Sequence, residues 1–70
     1  MTTPTLDEQI RCAGRELGIR RAVYPKWVQS KRMTQAEADH EIACMDAIYA
    51  HLKGVKNLTE HLAREAKATT

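Results

Sequence analysis

Seventy residues with a net charge of +2, no Phe and only three aromatic side chains allow one small domain with a thin core. A chain this short buries only about 60% of the surface its unfolded form exposes, so its roughly seventeen large apolar side chains leave a lone monomer marginal. No run approaches the ~20 apolar residues of a membrane span. The opening "MTTPTLDEQ" lacks the apolar stretch of a secretory leader, so a cytosolic chain is expected, with Cys12 and Cys44 as free thiols.

The elements read as helices throughout, and the fold class expected is all-α. Residues 1–5 form a flexible N-terminus. Thr5-x-x-Glu8 then matches a capping box, in which the hydroxyl accepts from the third backbone N–H and the glutamate reaches back. Leu6, Ile10, Ala13, Leu17, Tyr24 and Val28 follow at helical spacing, interrupted by Arg20 or Arg21. Pro25 removes one backbone donor and crowds the carbonyl of Arg21, a cost of about 3 kcal/mol in a helix interior. With no other breaker between Lys26 and Lys31, a continuous helix kinked at Pro25 is expected, with Tyr24 and Trp27 displayed on the bend. A tight "KRMTQ" corner leads to a second capping box, Thr34-x-x-Glu37. Ala38, Ile42, Met45, Tyr49 and Leu52 then step by four, three, four and three. Gly54 is placed to end this second helix in the left-handed conformation. Asn57-x-x-Glu60 marks a further start, so that 55–70 is read as a short helix, from Leu58 to about Lys67, or a tail. The expected architecture is an antiparallel helical hairpin over residues 6–54.

Charge is unevenly placed. Residues 11–33 carry seven Lys/Arg and one acid, whereas 34–52 carry four acids and no Lys or Arg. In an antiparallel hairpin these segments face each other, and each sign suits its helix dipole. Two hairpins related by a two-fold axis would complete a four-helix core. The expected homodimer interface is Leu17, Ile42, Met45, Tyr49 and Leu52.

Sites of chemistry are scarce. His40 and Cys44 stand four apart on one helix face, but zinc takes at least three protein ligands, and a surface histidine beside a small semi-buried cysteine is the simpler account. Neither cysteine has an activating frame, and no Gly-rich loop or Ser/His/Asp arrangement occurs. No catalytic residue, metal or other cofactor is expected, and the chain is not read as an enzyme. The stretch "RRAVYPKWVQSKRMTQ" is the feature that asks for a function. Arg20, Arg21, Tyr24, Lys26 and Trp27 fall within about two helical turns, and Arg, Tyr and Trp are the types that anchor protein interfaces. Basic and aromatic side chains together also suit phosphates and bases. A nucleic-acid-binding regulator is therefore the alternative. The acidic second arm, the low net charge and the absence of a spaced recognition helix disfavour it.

The blocks "GRELGIRRAVYPKWV" and "RMTQAEADHEIACMDAI" resemble a set of small proteins encoded by phages and prophages of Proteobacteria. The pattern R-R-x-V-Y-P-x-W-V followed by M-T/S-Q-x-x-A-D-x-E-I-A-x-M-x-A-I covers about residues 15–48. By size and helical content the chain is similar to the quorum-sensing anti-activators of Mu-like Pseudomonas phages. That resemblance implies a dimeric helical hairpin in the host cytoplasm. It also implies a host protein as partner: a LuxR-type transcription regulator and, beside it, the type IV pilus assembly ATPase. It carries over no binding residue one by one.

Overall fold

The computed structural model describes residues 2–68; Met1, Thr69 and Thr70, the outermost residues of the two terminal segments, lie outside the described residues. Two helices make the fold: α1, Leu6–Gln29, and α2, Gln35–Ala68. Both start where the capping boxes place them. The Glu8 N–H donates to Thr5 Oγ1 at 3.1 Å and the Thr5 N–H returns to Glu8 Oε1 at 3.5 Å. At the second start, the Glu37 N–H donates to Thr34 Oγ1 at 3.1 Å and the Thr34 N–H donates to Glu37 Oε1 at 3.4 Å.

α1 continues through Pro25 and ends at a Ser30 cap. Its closure is a Schellman arrangement, with the Arg32 N–H donating to the Trp27 carbonyl and the Lys31 N–H to that of Val28. Glycine usually fills the left-handed position this motif needs. Here Lys31 takes it, at φ 63°, so the corner is a turn without its customary sequence marker.

α2 corrects the expected boundary at Gly54. The helix runs unbroken over 34 residues; Gly54 has no positive φ, and a Cβ built on it would meet nothing within 4 Å. Asn57 and Glu60 lie inside this helix, so there is no free N–H end for Asn57 to cap, and the separate third segment does not exist. The reason is that Gly in a helix interior costs only about 1 kcal/mol relative to Ala, while contacts are made on both sides of it. Ahead of it Tyr49 lies over Gly14, 3.1 Å from where a Cβ would stand. Beyond it Lys56 Nζ meets Asp7 Oδ1 at 2.7 Å. Each member of that pair favours the other's charged form: the hydrogen bond and field of Lys56 hold the Asp7 carboxyl below its usual range, and Asp7 raises the Lys56 ammonium.

The register is antiparallel. Asp7 lies opposite Lys56, Gly14 opposite Tyr49 and Arg20 opposite Glu41. Among the described residues the buried ones are Ala13 and Leu17, midway along α1, and Ala38, in the first turn of α2. Leu17 is therefore covered by the hairpin itself and cannot also face a second copy, contrary to its expected place in a dimer interface. Ile42, Met45, Tyr49 and Leu52 are half-buried along the seam, because α1 already covers much of each. The Cα extents, 60 × 28 × 14 Å, describe a slab one helix thick. Layered folds bury an apolar face between two layers, and here there is one. α2 is also the longer helix by ten residues, so its C-terminal third passes the start of α1.

Continuity through Gly54 has a direct check. Gly54→Ala should raise stability by about 0.5–1 kcal/mol, the helix-interior difference between the two residues, measured by urea denaturation. A left-handed cap at this position would make the same substitution destabilising.

Candidate protein-binding surface

The basic aromatic stretch divides into a clamp and a display. Arg20 is the clamp. Its Nε donates to Glu16 Oε1 at 3.0 Å, and its Nη1 donates across the seam to the Glu41 carbonyl oxygen at 2.9 Å. The Glu41 carboxylate lies 3.5 Å from the same Nη1. The hydrogen bond to Glu16 is the main cause holding the guanidinium more firmly protonated than usual. Arginine suits this place because its planar fork reaches several acceptors at once, which a lysine ammonium does less well.

The other face of that fork meets an aromatic ring. The Arg20 guanidinium carbon lies 5.9 Å from the Tyr24 ring centroid, within cation–π range. Tyr24 in turn stacks on Trp27, with centroids 5.3 Å apart and planes inclined by 25°, in the separation range that aromatic pairs favour. Arg20, Tyr24 and Trp27 thus form one ladder along α1. Its inner members are half-buried, and its last, Trp27, is 39% exposed.

Arg21 and Lys26 do not join the ladder. Six positions at about 100° each put Arg21 roughly 120° around α1 from Trp27, and its Nη2 reaches Asp46 on α2 at 3.6 Å. Lys26 precedes Trp27 by one position and so points about 100° away; it is exposed. The five residues expected to bind a partner therefore lie on more than one face. Arg20 and Arg21 carry out the expected pairing of the basic arm with the acidic one.

Two apolar residues outside the expected set lead from Trp27 around toward the side of Lys26, Val23 about 40° and Ile19 about 80° from it. Ile19, Val23 and Trp27 follow at four-residue spacing, and Ile19 is 49% exposed. The spacing was legible, but the stronger seam through Leu17, Tyr24 and Val28 claimed the helix's apolar periodicity first. Beside Tyr24 a hollow of about 440 Å³ opens toward α2, lined by Tyr24, Met33, Ala36, Glu37, His40 and Glu41. The ends of the two helices thus present a ridge of Ile19, Val23 and Trp27, a hollow with an apolar floor, and a rim of two glutamates.

The polar pair His40 and Cys44 lies at that end too, with Cys44 Sγ 3.5 Å from His40 Nε2. Among the described residues no group of three or more His, Cys, Asp or Glu side chains comes together as a metal would need, and no helix is long and apolar enough to cross a membrane.

Comparison with protein-family models, with curated proteins and with solved structures finds no match for this chain. Function is read from the surface itself.

If Arg20 orders the aromatic pair, Arg20→Ala should weaken the near-ultraviolet circular dichroism of Tyr24 and Trp27 and lower the thermal midpoint, with most far-ultraviolet helix signal kept. Arg20→Lys should restore only part of the effect. An unchanged near-ultraviolet spectrum in Arg20→Ala would show that the stack stands without its clamp.

Proposed function

We propose that this chain is a small binding protein that acts by occupying a surface of another protein. The observation that carries the reading is the Tyr24–Trp27 stack, pinned by Arg20 yet with Trp27 reaching solvent. A binding surface gains when its anchors are already ordered, because little side-chain entropy remains to be lost on association. An indole on a fixed backbone, one turn from Val23, is the kind of side chain on which binding energy concentrates. The acids Glu37 and Glu41 and the exposed Lys26 then stand as a charged rim, which mainly sets approach and specificity.

The partner follows from the resemblance over residues 15–48: a host protein of the LuxR-type transcription activators, blocked by a phage-encoded anti-activator, with the type IV pilus assembly ATPase as a second target. The same charges disfavour a nucleic-acid partner. Two of the seven basic residues between 11 and 33 are drawn onto acids of α2, and two glutamates border the hollow beside the aromatic ladder, where phosphates would be repelled.

The test is calorimetric titration of a purified LuxR-type regulator with the full chain and with Trp27→Ala, circular dichroism serving as the folding control. Trp27→Ala should lose about 2 kcal/mol or more of binding, roughly 30-fold, at unchanged helicity. Affinity should fall only modestly with added salt. Failure of the native chain to bind the regulator would remove this choice of target. Binding to duplex DNA that falls steeply with salt would favour the nucleic-acid reading.

A further inference from the structure

The continuity of α2 brings together a second apolar stripe, which shares Leu52 with the edge of the seam and lies apart from the aromatic ladder. Cys44, Ile48, Leu52, Val55, Leu58, Leu62 and Ala66 follow at spacings of four, four, three, three, four and four. At about 100° per residue all of them fall within one side of the helix. Four of them are large and well exposed: Ile48 at 49%, Val55 at 41%, Leu58 at 60% and Leu62 at 55%.

The order of spacings reads the same in both directions. Counted outward from Val55, the apolar residues Leu52 and Leu58 stand three positions away and Ile48 and Leu62 seven, with the small Cys44 and Ala66 at eleven. A two-fold interface has this requirement, since each residue must meet its symmetry mate's counterpart. We infer that α2 pairs antiparallel with the α2 of a second copy of this chain, about a two-fold axis at Val55. In this pairing Val55 meets Val55 of the other copy, Leu52 meets Leu58, and Ile48 meets Leu62.

Two further observations fit that occupant. The register sets no like charges level with one another. Lys53 falls level with Asn57, Lys56 with Gly54, Glu60 with Ala50, and Arg64 with Asp46. The part of α2 beyond the start of α1 would also lie against the second copy. In each copy it runs back along the other hairpin, toward a groove of about 560 Å³ lined by Cys12, Ala13, Glu16 and Met45, one turn from Ile48. Each hairpin thereby covers the exposed Leu58 and Leu62 of the other. The resulting contact differs from a four-helix core built on the hairpin seam, and it leaves Trp27 at the far end of each copy.

The axis residue gives a test specific to this register. Sedimentation equilibrium on the full chain should find a dimer. Val55→Asp and Val55→Lys, which each place two like charges on the axis, should weaken self-association at least about 100-fold while circular dichroism shows the helices retained. An equimolar mixture of the two variants should recover a heterodimer, because the carboxylate introduced in one copy then meets the ammonium introduced in the other. A native monomer would overturn the proposal. So would variants that stay dimeric, or variants that separate and fail to recombine. Loss of regulator binding with the dimer intact would count against the proposed function alone.

Discussion

Two helices share one seam, and everything else about this molecule follows from how little that seam can hold. Among the described residues Ala13, Leu17 and Ala38 are the buried ones, and two of the three are alanines. Gly14 admits the Tyr49 ring so close that a methyl group would stand 3.1 Å from it. Small residues let the helices approach, but they bring little apolar area out of water, and burial is worth only about 25 cal/mol per Å². The hairpin is consequently fixed by point contacts spaced along its length. Arg20 joins α1 to Glu41 toward the closed end, and Asp7 meets Lys56 toward the open end. Both are exposed or partly exposed, and such pairs set register more than they supply stability.

The same shortage explains the distribution of apolar side chains. A slab one helix thick must leave its broad faces to solvent or to another molecule. Large apolar groups on this chain remain about half exposed at two places: near the closed end as Ile19 and Trp27, and along α2 as Ile48, Val55, Leu58 and Leu62. The first group lies beside an ordered aromatic ladder and a charged rim, features of a surface for a different protein. The second is symmetric about one residue, a feature of a surface for itself. Their separation along the molecule would allow both to be occupied at once.

Much of the fold was legible in the sequence because its signals are local. Thr5 and Thr34 cap the helices through contacts three residues long, and a capping box is read directly from its spacing. The hairpin followed from the two periodic runs and the opposed charges, and Arg20 and Arg21 do reach acids of α2. Gly54 and Asn57 misled for the converse reason. Each is a local signal for a helix end, yet a single glycine costs too little to break a helix whose flanking turns are held across the seam by Tyr49 and Lys56. The opposite error was avoided at Pro25, where the absence of any further breaker outweighed the proline. At the candidate surface, residue types were legible and their sharing of faces was not. Arg20 turned inward because Glu16 and the Glu41 carbonyl were within reach, and the second of these is a fact of tertiary register that no spacing on α1 contains. Once α2 is known to be continuous, its symmetric stripe is plain in the sequence; a boundary at Gly54 had cut it in two.

The central claim is that this hairpin depends on a second molecule to cover what it cannot bury. The most direct measurement is the thermal unfolding midpoint of the full chain, followed by circular dichroism over about a hundredfold range of protein concentration. Unfolding coupled to dissociation makes the midpoint concentration-dependent. The account predicts a midpoint that rises steadily with concentration. A midpoint that stays fixed across the range would contradict it, and would mean that two helices and one narrow seam are sufficient.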